Sequence, residues 1–286
     1  MRIDLHTHSD ASDGTDSPAQ VVANARAARL DVVALTDHDT VAGHAAAVDA
    51  VRNSPGARPI ALVRGAEISC LFSGISLHLL GYLFDPQHPE LAAELGSLRS
   101  DRTRRGRAIV DKLVELGVPI DWQQVQGIAG DAAVGRPHVA RALVELGVVP
   151  DVSAAFTDEW IGNDGRAYVE KYSLAPRRAI ELVKAAGGVT VFAHPAASSR
   201  GAIVDDAAIK AFADAGLDGV EVDHPDHDDE ARARLRDIAT ELGLLVTGSS
   251  DYHGFHKSTP LGAETTDPGV YDELVSRATG AQVVRG

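Results

Sequence analysis

Met1-Arg-Ile-Asp-Leu-His-Thr-His8 is a short segment of alternating apolar residues that ends in two histidines spaced two apart. Successive side chains of a strand point to opposite faces, so residues two apart share one face. His6 and His8 are therefore set to reach one metal ion. Working outward, six more short apolar segments read as strands, at residues 32–36, 60–68, 76–82, 189–193, 219–222 and 244–247. Helical patterns lie between most of them: 18–29 behind the start signal Asp16-Ser17, 40–51 with Thr40 as N-cap, 175–186 stopped at Gly187-Gly188, then 207–215 and 229–242. Repeated strand-then-helix order predicts a parallel barrel or a doubly wound sheet.

The order breaks between residues 91 and 164, where the periodicity is helical throughout, with helices expected at 90–116, 121–127, 136–146 and 151–160. The expected organisation is a barrel first part at 1–90, a helical insertion at 91–164 capping the barrel, and a barrel second part at 165–286. A chain of 286 residues is long enough for a core domain that carries such an insertion. Its 44% hydrophobic and 24% charged content is ordinary for a globular protein. No apolar run reaches membrane-spanning length and no charged-then-apolar leader is visible, so a cytoplasmic location and no membrane partner are expected. The single cysteine, Cys70, excludes an intrachain disulfide and reads as a small buried hydrophobe. A net charge of −14 argues against nonspecific adsorption to nucleic acid, while leaving room for a small phosphorylated substrate in a local positive pocket.

Metal-type side chains recur just after the expected strands. His6, His8 and Asp13 follow the first, and His38 in Thr36-Asp37-His38-Asp39 the second. Glu67 in Gly65-Ala66-Glu67, His78, His194 in Ala193-His194-Pro195, and Asp251 and His253 in Ser250-Asp251-Tyr252-His253 complete the set. The strand ends of an α/β barrel converge on one mouth. Each residue alone has a plain structural explanation; Asp37 and Asp39, for instance, could simply start the next helix. Position argues otherwise, because six of the twelve histidines fall at strand ends, in five separate elements. Nine nitrogen and oxygen ligands without a thiolate suit two or three divalent ions such as manganese, iron or zinc.

Taken together, HTHSDASDG, LTDHD, GAEIS, LHLLGY, FAHP and SSDYHG resemble the polymerase-and-histidinol-phosphatase (PHP) domain. The order with a central helical insertion is similar to its stand-alone nucleotide phosphoesterases. The resemblance implies a distorted, TIM-like (β/α)7 barrel, in line with the seven strands counted above. It implies phosphate release from 3′,5′-bisphosphonucleotides, or trimming of short oligoribonucleotides from the 5′ end. It further implies three metals: one on His6, His8, Glu67 and Asp251, one shared by Glu67 with His78 and His194, and one on Asp13, His38 and His253. A hydroxide bridging two ions is the expected nucleophile, with Glu67, His194 and Asp251 as the catalytic set and the leaving group served by the third metal or by a group beside it such as His194 or Asp251.

Arg136 and His138 open an insertion helix in Gly135-Arg136-Pro137-His138, and helix N-termini favour anions. The resemblance implies that this motif lies over the active site. Lys171, Arg177 and Arg200 are further candidates for phosphate or ribose, and His224 and His227 follow a strand and so are expected at the mouth. The arginine-rich run from Arg99 to Lys112 reads as a solvated helix face, since it lacks interleaved aromatics for base stacking.

Rival readings are a histidinol-phosphate-type phosphatase, an amidohydrolase, a non-catalytic metal-stabilised sensing module, and a piece of a replication assembly. Glu67 stands where an amidohydrolase usually recruits a carboxylated lysine, and a chain that has lost its chemistry normally lacks some of the nine ligands. No obligate protein partner is indicated.

Overall fold

The computed structural model describes residues 1–54, 58–198 and 201–286. Packing divides the chain into two units: Met1–Leu95 with Ser173–Gly286, and Gly96–Tyr172.

The first unit is built on seven strands in chain order: β1 (Ile3–Asp4), β2 (Val32–Leu35), β3 (Ala61–Phe72), β4 (Ile75–Tyr82), β5 (Val189–Phe192), β6 (Gly219–Asp223) and β7 (Leu245–Gly248). A parallel bridge between Thr7 and Tyr252, with His8 N–H donating to the Tyr252 carbonyl at 2.8 Å, brings the segments after β1 and β7 together and nearly closes a barrel. Helices α1 (Pro18–Ala27) and α2 (His44–Arg52) follow β1 and β2. Downstream, α7 (Pro176–Ala185), α8 (Asp206–Asp214), α9 (Asp229–Leu242) and α10 (Pro268–Arg277) alternate with the later strands. Apolar residues that point inward, among them Ile3, Leu5, Val63, Leu80 and Val191, form the barrel core.

One strand departs from the expected parallel order. β4 runs antiparallel to both β3 and β5. No helix separates it from β3; Phe72 pairs with Ile75 across the two-residue turn Ser73-Gly74, whose φ angles are +49° and +81°. Positive φ at both positions matches the twist of a tight hairpin, and glycine accepts it without cost. The reversal matters for the site: the beginning of β4 lies at the end of the barrel that the other strands approach with their C-termini.

Other expectations shift at their edges. Ser17 does cap α1, accepting from Gln20 N–H at 3.3 Å while Gln20 Oε1 accepts from Ser17 N–H at 2.8 Å, a reciprocal capping box. The next helix starts at His44 rather than at Thr40. Asp37 and Asp39 do not start it, because their carboxylates are engaged with other loops, and Thr40 Oγ1 only accepts from Ala42 N–H at 3.2 Å. The two-residue strand β8 (Val284–Arg285), which pairs with β3, and α10 lie outside the expected pattern.

The second unit is helical: the greater part of α3 (Pro89–Glu115), within which the division falls, then α4 (Trp122–Ala129), α5 (Arg136–Glu145) and α6 (Val152–Ala155). It has its own core, including Ile109, Leu113, Val125, Val139, Leu143 and Ile161. The expected helix at 151–160 is only the single turn α6; Phe156 leaves the helical region, and turns carry the chain onward. Among the described residues no helix is long and apolar enough to cross a membrane.

Candidate metal centre

All nine expected ligands belong to the first unit, and they meet around Glu67. The residue sits inside β3 rather than after it, since that strand runs on to Phe72. Glu67 Oε2 lies 3.1 Å from His6 Nε2, 3.0 Å from His8 Nε2 and 3.3 Å from His38 Nδ1. Its other oxygen, Oε1, lies 2.8 Å from His78 Nδ1 and 3.0 Å from His194 Nε2. The hairpin explains how His78 arrives: it pairs with Ser69, two residues beyond Glu67 on the neighbouring strand, and diagonal neighbours of this kind are within reach of long side chains.

Asp251 Oδ1 adds contacts of 3.4 Å to His6 Nε2 and 3.3 Å to His8 Nε2. Farther along, Asp13 lies 3.6 Å from His38 Nε2 and 3.4 Å from His253 Nε2. Three sets of converging ligand atoms result: His6, His8, Glu67 and Asp251; His38, Glu67 and His78; and His8, Asp13, His38 and His253. The first equals the set that the resemblance implies. The other two add His38 and His8, while His194 meets the Glu67 oxygen that His78 also meets.

These donors fit divalent ions on two observations. Atoms held tetrahedrally at about 2.0–2.1 Å from a shared centre lie about 3.3 Å apart, close to the spacings of the first set. In addition, His8 Nδ1 is buried without a hydrogen-bond partner, which a cluster designed only to pair its own members would avoid.

Burial alone would strip the charge from such groups, yet their mutual attraction reverses this. Burial opposes a charged His6, but Glu67, Glu221 and Asp251 outweigh it and hold its pKa well above the usual range. His8 is pushed up to about 9 against its burial by hydrogen bonds with Asp251 and Glu67 and by the charges of Glu67 and Asp13. Glu67 and Asp13 are held well below the ordinary carboxylate range; burial resists, and His38 is the strongest opposing charge in both cases. An ion entering the site would have to displace those imidazole protons.

Behind the ligands stands a layer of buried carboxylates that sequence reasoning missed. Glu221 in β6 lies 3.1 Å from His6 Nδ1, accepts from His194 N–H at 2.8 Å and accepts from the Ser249 hydroxyl. A partner on Nδ1 leaves Nε2 as the ligating nitrogen. Asp4 accepts from Ser250 N–H at 3.0 Å and from its hydroxyl at 2.6 Å, fixing the turn before Asp251. Asp37 accepts from Ser9 N–H at 2.7 Å and from the Ser12 hydroxyl at 2.6 Å, and so shapes the loop that carries Asp13. Asp39 similarly accepts from Ser69 N–H at 2.7 Å. The available signal was a charge within an apolar run: Glu221 stands between Val220 and Val222. Lys257, also not singled out, places Nζ 2.7 Å from Asp251 Oδ2.

His194 and Asp251 have φ of +32° and +51°. Left-handed backbone at residues other than glycine is costly and concentrates at functional sites. Here the ligand geometry outweighs local preference.

The expected substrate residues fare unevenly. His224 is buried at the centre, its Nε2 3.5 Å from Asp251 Oδ2. His227 has both ring nitrogens engaged by backbone, Nε2 accepting from Ala196 N–H at 3.2 Å and Nδ1 2.9 Å from the Val222 carbonyl, so it holds two loops together. Arg177 is exposed and, among the described residues, pairs only with Glu181, one turn along α7. Arg200 lies outside the described residues. Arg136, His138 and Lys171 belong to the helical unit. There His138 is buried, its Nδ1 accepting from Gly135 N–H at 3.0 Å to close the start of α5, and Arg136 donates to Asn163 Oδ1 at 3.0 Å.

Comparison with known proteins agrees with this architecture. Residues 4–100 match the PHP domain. The chain is 36% identical over 258 residues to a 5′-3′ exoribonuclease of Haemophilus influenzae, covering 88% of this chain and 90% of the relative. It is 31% identical over 252 residues to a 3′,5′-nucleoside bisphosphate phosphatase of Chromobacterium violaceum, covering 88% and 87%. Among solved structures, a protein described as a metal-dependent phosphoesterase from Bifidobacterium adolescentis superposes with a TM-score of 0.91 at 36% identity, covering 97% of this chain and 96% of the other. The chain belongs to the PHP family of phosphoesterases. It is a metal-dependent hydrolase of phosphoric esters.

Proposed function

We propose that this enzyme acts on nucleotides, releasing phosphate from 3′,5′-bisphosphonucleotides, trimming short oligoribonucleotides from the 5′ end, or both. The observation that carries the reading is the double use of Glu67, whose two oxygens each serve their own group of imidazoles. A carboxylate shared in this way is what adjacent ions in a phosphoryl-transfer site require. The names of the Haemophilus influenzae and Chromobacterium violaceum relatives supply the substrate class.

His6, His8, Asp13, His38, Glu67, His78, His194, Asp251 and His253 are the proposed ligands of two or three manganese, iron or zinc ions. Bound ions supply Lewis acidity toward phosphoryl oxygens and make water acidic near neutral pH. The rest falls to the chain. Glu221 orients His6 and the His194 backbone. Asp251 and His194 are the groups proposed to pass a proton toward the leaving alkoxide. Lys257, on Asp251 Oδ2, offsets the carboxylate charge and keeps the Oδ1 edge turned to His6 and His8.

The test is phosphate release from 3′,5′-bisphosphoadenosine by manganese-loaded protein, beside mononucleotide release from a 5′-phosphorylated RNA oligomer. Turnover of either, abolished by chelation, is expected. Turnover of histidinol phosphate with neither nucleotide consumed would replace this reading.

A further inference from the structure

Phe255 is the most exposed large hydrophobic residue among those described, at 78%. It stands two residues after the proposed ligand His253, in the short turn Gly254–His256. A single exposed apolar side chain is ordinary on a protein surface; this one differs in how firmly its backbone is held. Phe255 N–H donates to Thr15 Oγ1 at 3.1 Å, and Thr15 N–H donates to the His253 carbonyl at 3.1 Å. Thr15 in turn follows the proposed ligand Asp13 by two residues, and Asp13 Oδ1 lies 3.4 Å from His253 Nε2. On the other side, Lys257 Nζ lies 2.7 Å from Asp251 Oδ2. The aromatic residue is thus strapped between segments that carry three of the proposed ligands, Asp13, Asp251 and His253.

Gly254 makes the strap possible. Its φ is +78°, and a Cβ there would run into Thr15 Oγ1. Only glycine meets both conditions, so the chain turns beside Thr15 directly after His253. His253 is buried and Phe255 exposed, so two residues carry the chain from the centre to its rim. The surroundings do not continue the apolar surface: Thr15, Lys257 and Ser258 are polar, and Asp10 and Asp16 flank the loop that holds Thr15. A protein interface needs far more area than one ring. A ring fixed at the edge of a centre that acts on phosphoric esters suits a planar ligand lying against its face.

We propose that Phe255 is the platform on which the base of the nucleotide substrate stacks while its phosphate reaches the metal centre; this rests on the nucleotide function proposed above. Every base has a π-face, so the platform takes purines and pyrimidines alike without reading their hydrogen-bonding edges. Its backbone is ordered before substrate arrives, so little freedom is lost on binding. The same contact serves a free bisphosphonucleotide and the terminal nucleotide of an RNA.

The test compares Phe255→Ala with wild type on 3′,5′-bisphosphoadenosine and on its abasic counterpart, 1-deoxyribose 3,5-bisphosphate. KM for the first should rise about tenfold, as expected for the loss of one base–aromatic contact, and KM for the second should stay the same. An equal rise on both, or no rise on the first, overturns the proposal. Metal content and melting temperature report a structural role: a fall in either marks Phe255 as a support for His253 and overturns the platform. Phe255→Leu, apolar but without the ring, should behave like the alanine variant, and Phe255→Trp should hold KM at or below the wild-type value. A leucine variant with wild-type KM overturns stacking. A further readout does not depend on turnover. Stacking quenches 2-aminopurine, so the fluorescence of 2-aminopurine riboside 5′-monophosphate should fall with wild type and clearly less with Phe255→Ala. Quenching that needs Phe255, in an enzyme that consumes neither bisphosphoadenosine nor RNA, keeps the base site and removes the proposed function. Nucleotide turnover with equal quenching by both proteins keeps the function and removes the base site. Absence of both quenching and turnover removes both.

Discussion

The barrel and the helical unit concentrate charge in opposite ways. Around Glu67, imidazoles and carboxylates are interleaved, so that in the absence of metal each positive group has a negative one within about 3 Å. Around Arg105 the nearby charges are mostly cations, Arg136 and Arg102, and Asp101 offsets them only in part. The first arrangement is balanced by its own members; the second carries an excess of positive charge. A self-compensated cluster should tolerate loss of its ions and respond to pH.

The comparison is broken most severely at its centre. Glu67→Gln should lower kcat on p-nitrophenyl phosphate by about 10³-fold or more, since several kcal/mol of charge stabilisation would depend on the ions it is proposed to hold. Metal content measured on the same preparation should fall together with activity; full occupancy with full turnover would remove Glu67 from its bridging role. Glu221→Gln keeps the shape but weakens the hold on His6, and a loss of about 10–100-fold in metal affinity is expected in competition with a chelating dye.

The pH response sharpens the contrast further. His8 is raised from 6.5 to about 9 in the metal-free protein. A base with a raised pKa contributes stability that is fully present below pH 6.5 and lost as pH climbs through about 9. Chelated protein should accordingly lose several degrees of melting temperature across that window, and metal-loaded protein should not, because its imidazoles are already deprotonated. A flat profile after chelation would contradict the self-compensated picture. The smallest effect belongs to Arg177→Ala: an exposed pair along one helix contributes well under about 1 kcal/mol, so both KM and melting temperature should be indistinguishable from wild type.

Much of this was legible before any coordinates. Ligands such as His6, His8 and Asp251 could be read because strand alternation and strand ends fix direction and position with little help from the rest of the chain. Glu221 could not, because its worth depends on His6 lying 215 residues away and on the backbone of His194. The antiparallel course of β4 was hidden for a related reason: alternation is the same in either direction, and only the Ser73-Gly74 turn shows the reversal. The strand β8 is two residues long and offers no period to detect. Asp267-Pro268 did carry a helix-start signal for α10, with Asp267 Oδ1 accepting from Gly269 N–H at 2.7 Å. Arg105 looked like one more member of a solvated run, since sequence does not say which residue of a basic helix faces inward.

The bridge between Thr7 and Tyr252 has a consequence for how the protein comes into being. His6 and His8 leave the ribosome before Asp251 and His253, which follow 243 to 247 residues later. At about 5–20 residues per second, translation leaves the early histidines without their last partners for roughly 12–50 s. A chain held together by such distant contacts also folds slowly once released. Throughout that interval the proposed ligand set is incomplete, and it is assembled only when the segments after β1 and β7 meet.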